Sequence, residues 1–245
     1  MTALDDSEFD LFGEITAEEK SALQERTQKF QHDQQCMIAS LDHDPRKRTM
    51  AENRLIFHHK RHSQFTVPNR LRRLFSLEEC NRILEGCKEM SCSDWNTARH
   101  SAFATTDIPI RNSRFDYLID QVRDRLIPVM ANHYGFHPTR DLEFRDIFVV
   151  KYSADAQAGL KLHTDGCLLS FNVLINPKDE FDGGGTYFQP TDQTMASEQG
   201  DCVFHGAHIM HRGVDITRGQ RYLLVGFVDT VDTIEKDGTG SIKRI

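Results

Sequence analysis

The chain has 245 residues, of which 38% are hydrophobic and 27% are charged, and its formal net charge at pH 7 is -7. This composition is typical of a globular protein with a polar surface and excludes fibrous and collagen-like proteins, while the length suits one large domain. The negative net charge argues against a protein that coats nucleic acid through its overall field, so nucleic acid is not an expected partner.

The first part of the chain is predicted to be a peripheral extension. Its opening residues, MTALDDSEFD, are acidic where a signal peptide would be basic and then apolar. Thr16 and Glu19 have capping-box spacing before a polar, helix-prone stretch that runs to about Gln35. Only Leu23 and Phe30 are large and apolar there, which is too few for a core-facing stripe. We therefore expect a loosely attached helix or tail.

Charge is segregated along this extension. Residues 1–20 carry seven acids against one lysine, whereas residues 44–73 carry nine Lys and Arg against two acids. A basic run of this kind is usually a solvated face, and here it would attract the acidic residues at the start of the chain. The alternative is a nuclear-import signal or a binding patch for an acidic partner. We assign residues 1–66 to a polar extension, partly helical or flexible, and residues 67–245 to the folded domain.

Two amphipathic helices are predicted at the start of the domain. Ser76 and Glu79 form a second capping box, and apolar residues recur behind it at helical spacing, which predicts a helix over about 77–90. A longer apolar repeat over 115–130, followed by Gly135, predicts another.

No signal for a membrane span or a disulfide framework accompanies these elements. No apolar run approaches the roughly 20 residues that span a bilayer, so we expect no membrane partner and a cytoplasmic or nuclear location. The six cysteines are too sparse for a disulfide framework, and none stands in a Cys-x-x-Cys pair, so we interpret them as free thiols.

From residue 142 the sequence changes to short runs rich in Val, Ile, Phe and Tyr, separated by turn signals. These runs predict five strands, at about 143–152, 167–175, 185–189, 201–205 and 221–229. Helices followed by strands indicate an α+β protein, and strands at this spacing favour a sandwich or barrel. We predict a double-stranded β-helix (jelly roll) core over 141–230, buttressed on one face by helices from 67–140.

A candidate metal site lies in the region of the predicted jelly-roll core, between predicted strands. His163 and Asp165 are two residues apart, a spacing that on an extended strand aims an imidazole and a carboxylate at one point. His211 offers a third ligand before a strand that opens with a cation. Two histidines and one carboxylate on one face of a metal leave three positions open, which suits non-haem Fe(II) and O2. His205 and His208 compete with His211 for the third position.

Between Phe148 and Asp229 the sequence resembles the Fe(II)/2-oxoglutarate-dependent dioxygenases, and within them the prolyl 4-hydroxylase and procollagen lysyl hydroxylase branch. The matching residues, in order, are Tyr152, His163-x-Asp165, Asn172, Asn176, the turn Phe181-Asp182-Gly183-Gly184-Gly185-Thr186, Gly200-Asp201, His211-x-Gly213 and Gly219-x-Arg221-Tyr222. The specificity of the resemblance comes from this joint pattern, which covers about a third of the chain closely.

The resemblance implies a site and an activity. His163, Asp165 and His211 would hold iron, with 2-oxoglutarate and O2 in the open positions. Arg221, ten residues beyond His211, would pair with the distal carboxylate of 2-oxoglutarate, to which a guanidinium offers a bidentate fork. Decarboxylation of 2-oxoglutarate to succinate and CO2 would accompany hydroxylation of an unactivated C–H bond. The resemblance also allows ascorbate as a further cofactor.

Two further contacts with 2-oxoglutarate are predicted from strand alternation. Tyr152 lies on the strand face that we expect to point inward, and Asn172 lies on the more polar face of the next strand. Both suit a lumen that must hydrogen-bond a dicarboxylate, and a structural role is the alternative for each. Arg218 competes with Arg221, but it lies in a turn rather than on the strand.

The resemblance also suggests a substrate, either a small molecule or a peptide. We expect hydroxylation of an amino-acid or amino-acyl (prolyl/lysyl-type) aliphatic carbon, on fold-level analogy. Residues 94–114 are rich in loop formers that would close over such a substrate, and Trp95 there would either cover the site or anchor the loop. The alternatives are a non-catalytic jelly-roll sensor or scaffold that binds metal or 2-oxoglutarate, and a zinc hydrolase.

Overall fold

A computed structural model of the chain describes residues 16–97, 99 and 103–238. The chain divides into two compact units, Met1–His43 and Asp44–Ile245. Residues 1–15, which include most of the acidic start of the predicted extension, lie outside the described residues. None of the described helices is long and apolar enough to cross a membrane.

Helix α1 (Ala17–Ser40) forms most of the described part of the first unit. The predicted capping box is present, because Glu19 donates its backbone N–H to Thr16 Oγ1 at 3.2 Å and its Oε2 accepts the Thr16 N–H at 2.9 Å. No residue of the helix is buried, and Leu23 and Phe30 are 58% and 68% exposed. The helix therefore forms where predicted, runs further than predicted, and buries no core of its own.

The second unit contains all the elements predicted for the domain. Its described helices are α2 (Met50–Lys60), α3 (Leu77–Lys88), α4 (Leu118–Tyr134) and α5 (Val231–Lys236). Its described strands are β1 (Asn69–Leu71), β2 (Asp107–Pro109), β3 (Leu142–Ser153), β4 (Leu169–Leu174), β5 (Phe181–Gly183), β6 (Thr186–Phe188), β7 (Gln193–Met195), β8 (Cys202–Gly206), β9 (His211–Gly213) and β10 (Ile216–Thr230). The two predicted helices are α3 and α4, and the five predicted strands correspond to β3, β4, β6, β8 and β10.

Two antiparallel sheets form the body of this unit. The larger has the strand order β1-β8-β4-β10-β3-β2, with β5 paired to the start of β10, and the smaller has the order β7-β6-β9. Residues of α3 and α4 share one apolar cluster with residues of β3, β4 and β10, so the helices cover one face of the larger sheet. This arrangement is the predicted double-stranded β-helix with helical support, and the α+β fold class is confirmed.

Alternation along β10 separates the core from a cavity. Tyr222, Leu224 and Val228 belong to the apolar cluster under the helices. Arg221 and Leu223, on the opposite face, line a cavity. Because successive side chains of a strand point to opposite faces, one strand supplies both environments.

Helix α2 belongs to the same compact unit as the sheets, although it lies within the predicted extension. It begins at a capping box formed by Thr49 and Glu52, whose Thr-x-x-Glu spacing is visible in the sequence. Phe57 is 1% exposed, and its ring centroid lies 5.5 Å from that of Tyr134 on α4. We therefore propose that the domain begins at Asp44 rather than at the predicted boundary.

The basic run over 44–73 is only partly a solvated face. Arg48 is 8% exposed, and its Nε donates to Asn53 Oδ1 at 2.7 Å. Arg54 donates to Asp232 Oδ1 at 2.5 Å. The exposed arginines that close the run are Arg70, Arg72 and Arg73.

If α2 is part of the cooperative domain, Phe57→Ala should lower the free energy of unfolding by about 3–5 kcal/mol, because it empties a buried aromatic site. Phe30→Ala, which removes an exposed ring from α1, should change it by less than about 0.5 kcal/mol. Urea unfolding followed by the fluorescence of Trp95, the only tryptophan, measures both. Equal midpoints for Phe57→Ala and the wild type would exclude α2 from the domain.

Candidate metal centre

Three of the predicted site residues converge at one point. His163 and His211 face each other across two backbone hydrogen bonds of 2.8 and 2.9 Å. Asp165 Oδ1 lies 3.3 Å from His163 Nε2, and Asp165 Oδ2 lies 3.6 Å from His211 Nε2. The three ligand atoms lie within 4.8 Å of one another, and no side chain of the three is more than 10% exposed. Within the described ranges this is the only cluster of its kind.

Hydrogen bonds orient each of the three side chains. His163 Nδ1 lies 2.7 Å from the Lys161 carbonyl oxygen, and His211 Nδ1 lies 2.9 Å from the Ile209 carbonyl oxygen. Because a carbonyl only accepts, each Nδ1 carries a proton, so in the neutral ring the Nε2 lone pair is available to a metal. Ser170 donates its hydroxyl to Asp165 Oδ2 at 2.5 Å, so the carboxylate is also held in place.

The charge state of the cluster suits a cation. Burial opposes ionisation of Asp165, but the hydrogen bond with His163 and the adjacent imidazoles hold its pKa at about 2, so it is a carboxylate at neutral pH. Burial lowers the pKa of His211. At His163 the burial effect is outweighed by the hydrogen bond with Asp165, which raises its pKa. One carboxylate and two imidazole nitrogens on one side of a point are a donor set for a divalent transition metal.

The other two histidines near the third position lie differently. His208 Nε2 lies 3.0 Å from the Arg61 carbonyl oxygen, and His208 does not line the cavity beside the cluster. His205 does line it and packs edge-on against His211, with ring centroids 4.4 Å apart. Its Nδ1 faces the Gly206 carbonyl oxygen at 3.0 Å, and burial lowers its pKa to about 3, so it is a neutral neighbour of the cluster.

A cavity of about 380 Å³ opens beside the three ligands. Two kinds of surface line it. The apolar part comes mainly from β3 and β10 and includes Phe148, Val150, Leu223, Val225 and Phe227. The polar part includes the cluster itself and the predicted cosubstrate residues Arg221, Tyr152 and Asn172.

Arg221 is a buried cation in this cavity. It is 2% exposed, and Nη1 donates to the Gly185 carbonyl oxygen at 3.1 Å. In the part of the chain that the structure describes, no carboxylate pairs with it, and burial lowers its pKa to about 10. Arg218, its competitor, lies on β10 rather than in the predicted turn, but it is exposed and pairs with Asp182 at 2.7 Å. The geometry therefore favours Arg221 over Arg218 as the cation that would bind an anionic ligand.

The glycine turn that matched the family motif makes room for Arg221. Gly183, Gly184 and Gly185 all have positive φ, of 79°, 74° and 101°. A side chain at Gly184 would place its Cβ 3.2 Å from Arg221 Cδ. The turn therefore needs glycine both for its backbone conformation and for the close approach of the arginine.

Tyr152 and Asn172 are buried polar groups at different levels of the cavity. Tyr152 is paired with Arg221 across the strands, its ring lies 5.9 Å from the guanidinium carbon, and burial raises its pKa to about 12. Asn172 is 8% exposed, and its Oδ1 accepts no hydrogen bond from the described residues. It lies opposite Val225, four residues along β10 from Arg221 and two residues along β4 from Ser170.

The mouth of the cavity contains residues that the sequence did not single out as ligands. The Phe103 ring lies 4.7 Å from the His163 ring, centroid to centroid. Arg99 also lines the cavity, and its Nε lies 3.0 Å from Asp107 Oδ1. Both residues come from a segment without periodicity, so only the tertiary fold reveals them. Trp95 does not line the cavity but packs 5.9 Å from Tyr222.

Comparisons with known proteins show what the chain resembles in sequence and in fold. No family model matches the chain. The multifunctional procollagen lysine hydroxylase and glycosyltransferase LH3 of Rattus norvegicus is 28% identical over 171 residues, which are 64% of this chain and 22% of that protein. The viral collagen prolyl hydroxylase of Paramecium bursaria Chlorella virus-1, as a 2-oxoglutarate complex, has a TM-score of 0.51 at 15% identity and covers 67% of this chain and 96% of its own. An oxidoreductase of the 2OG-Fe(II) oxygenase family from Burkholderia pseudomallei has a TM-score of 0.53 at 13% identity, over 75% of this chain and 91% of its own.

The chain thus has the fold of the Fe(II)/2-oxoglutarate-dependent oxygenases. In sequence it resembles their prolyl and lysyl hydroxylase branch, as its motifs predict. It spans only 22% of the Rattus norvegicus protein and 23% of the human procollagen-lysine,2-oxoglutarate 5-dioxygenase 2.

Asp165→Ala should abolish the binding of a divalent metal, because it removes the only carboxylate of the cluster. We expect a larger loss of Mn2+ affinity than the roughly 10–100-fold that Ser170→Ala should cost by freeing the carboxylate. Isothermal titration with Mn2+ under argon measures both, and Asp155→Ala, an exposed acid in a nearby turn, is the matched control. Unchanged Mn2+ affinity of Asp165→Ala would remove this residue from the metal site.

Proposed function

We propose that the protein is an Fe(II)- and 2-oxoglutarate-dependent dioxygenase that hydroxylates an unactivated C–H bond. His163, Asp165 and His211 would hold the iron. The observation that carries the proposal is the buried cation Arg221, without a carboxylate partner among the described residues, in the same cavity as a three-ligand metal cluster. When bound, iron and 2-oxoglutarate supply the oxidising chemistry, with succinate and CO2 as products.

Arg221 would bind the distal carboxylate of 2-oxoglutarate. A buried, uncompensated guanidinium is costly, and a carboxylate removes that cost through two parallel charge-assisted hydrogen bonds. The hydroxyl of Tyr152, with no hydrogen-bond partner within the described ranges, would donate to the same carboxylate. The cavity is therefore shaped for a dianion that reaches from the metal to a cation.

Asn172 would act nearer the metal. It lies two residues from Ser170, whose hydroxyl holds Asp165, and it is displaced along the sheet from Arg221. Its unsatisfied Oδ1 requires a donor, and a flip of the amide would present N–H to an oxygen instead. We therefore assign Asn172 to the metal end of the cosubstrate rather than to its distal carboxylate.

The apolar lining suits chemistry on an unreactive carbon. Phe148, Val225 and Phe227 surround the cavity with groups that exclude water and donate no proton. Exclusion of water protects a reactive centre from side reactions and holds the substrate close to it. A zinc hydrolase would instead need a positioned general acid or base. Besides the predicted metal and cosubstrate residues, the only titratable side chains among the described residues that line the cavity are Arg99 and His205. His205 is neutral.

The substrate that we propose is an amino-acid or amino-acyl aliphatic carbon, in a small molecule or a peptide. The support is the similarity to proteins described as lysine and prolyl hydroxylases. Phe103 and Arg99 at the mouth would contact the part of the substrate that stays outside. Ascorbate is included as a reductant on the same resemblance.

Arg221→Ala should raise the KM for 2-oxoglutarate by roughly 10–100-fold, because loss of a charge-assisted contact costs about 1.5–3 kcal/mol. The KM for the hydroxylated substrate should change far less. Succinate release measures the first constant, and Arg218→Ala is the control, since it removes an exposed arginine from the same strand. An unchanged KM for 2-oxoglutarate in Arg221→Ala would mean that the cosubstrate binds elsewhere.

The reaction itself is tested with proline- and lysine-containing peptides and with the free amino acids. We expect one of these to gain a single oxygen atom, seen by mass spectrometry, with succinate in equal amount. Continued decay of 2-oxoglutarate without an oxidised product would keep the enzyme class and refute this substrate class. Absence of any decay, combined with binding of metal and 2-oxoglutarate, would instead favour a non-catalytic sensor.

A further inference from the structure

A second cavity, of about 720 Å³, shares no residue with the first. It lies where β1 ends and α3 begins, and its basic residues are Arg70, Arg72, Arg73 and Lys178. Arg70, Arg72 and Arg73 are the exposed end of the basic run that the fold does not use. We call these three side chains the arginine rim.

The arginine rim is not neutralised by the described residues. Arg70 donates to the Ala196 carbonyl oxygen, and no carboxylate among the described residues forms an ion pair with Arg70, Arg72 or Arg73. Two carboxylates line the same cavity against four cations: Glu198 pairs with Lys178 at 3.1 Å, and Asp201 accepts the Arg73 backbone N–H rather than a guanidinium N–H. Three guanidinium groups within four consecutive residues therefore retain their charge toward solvent.

The backbone that carries the arginine rim is strained. Arg73 has a φ of 55°, in the left-handed region that glycine adopts without cost and other residues do not. Asp201 holds this conformation, because its Oδ1 accepts the Arg73 backbone N–H at 3.0 Å. Arginine at this position adds backbone strain that glycine would not, and its side chain forms no ion pair among the described residues. The side chain is therefore expected to contact a molecule other than this domain.

The arginine rim also borders a free sheet edge. Strand β1 is the last strand of the larger sheet, so one of its edges has no partner strand among the described residues. A cavity of about 360 Å³ shares Arg70 with the larger one and includes Val67, which is 47% exposed. A short edge flanked by cations and by apolar surface matches an extended peptide that adds as a strand.

We propose that the arginine rim and the edge of β1 bind an extended acidic peptide segment of a partner protein. Nucleic acid fits less well. The aromatic residues that line the two cavities, Phe75 and Phe188, are 0% and 1% exposed, so they offer no ring on which a base could stack. The net charge of -7 would also repel a long polyanion that extends beyond the groove.

The first experiment measures binding of a fluorescein-labelled peptide with Glu at alternate positions and Val and Thr between them, by fluorescence anisotropy with the full chain. We expect saturable binding that weakens as salt rises, and no binding of the peptide with Gln in place of Glu. Equal binding of both peptides, or of neither, would overturn the proposal. A single-stranded oligonucleotide that binds more tightly than the acidic peptide and displaces it would also overturn it.

Matched charge reversals locate the site. Arg72→Glu with Arg73→Glu should weaken binding of the acidic peptide by roughly tenfold or more. Arg26→Glu with Lys29→Glu, on the exposed face of α1, changes the net charge by the same amount and should leave the affinity unchanged. Circular dichroism checks that both variants are folded. Equal losses in the two variants would assign the binding to overall charge and overturn the site.

Arg73→Gly separates binding from folding. It removes one guanidinium and relieves the positive φ, so the thermal midpoint should rise while the peptide binds more weakly. A merely structural arginine would give the opposite result for stability. A lower thermal midpoint together with unchanged peptide affinity would show that Arg73 serves the fold and overturn its part in the site.

Discussion

The side chains of strand β10 alternate between the apolar core and the cavity, and the rest of the domain depends on this alternation. The even-numbered side chains Tyr222 and Leu224 pack under the helices, and their odd-numbered neighbours Arg221 and Leu223 line the cavity. Pairing with β3 on one edge and β4 on the other fixes the register. A slip by one residue would bury Arg221 in the apolar cluster and expose Tyr222 to the cavity.

Arg99 in the cavity lining pairs with Asp107 and Asp146, which leaves one negative charge, Asp165, and one positive charge, Arg221, that do not pair with each other among the described residues. Asp165 is ionised beside two imidazoles, and Arg221 is buried without a carboxylate partner in the described part of the chain. A divalent cation beside Asp165 and a dicarboxylate reaching Arg221 would leave the whole assembly neutral. Because burying net charge is costly, the two ligands would favour each other's binding through this balance.

Much of this arrangement follows from the sequence, because periodicity reports burial. Helices α3 and α4 and the five predicted strands have regular apolar spacing. The strand alternation expected for His163-x-Asp165 is not what brings these side chains together, because both lie before β4 and outside the named strands, where His163 forms an isolated bridge with His211. Helix α2 was missed because it is short and buries only Asn53, Ile56 and Phe57, so its apolar spacing is a weak signal. Arg99 and Phe103 could not be assigned to the cavity from the sequence, since no apolar periodicity surrounds them. The ligand roles themselves stay predictions that metal titration will decide.

The backbone pairing of His163 and His211 has a consequence for how the domain comes apart. His211 lies on β9 in the smaller sheet, whereas His163 lies just before β4 of the larger one. An ion bound by both would cross-link two segments that are far apart in sequence and that pair here through two backbone hydrogen bonds. Opening of this pair would then require release of the ion, so resistance to heat and proteolysis would follow the supply of metal in the surroundings. In metal-poor conditions this pair of segments would open more readily.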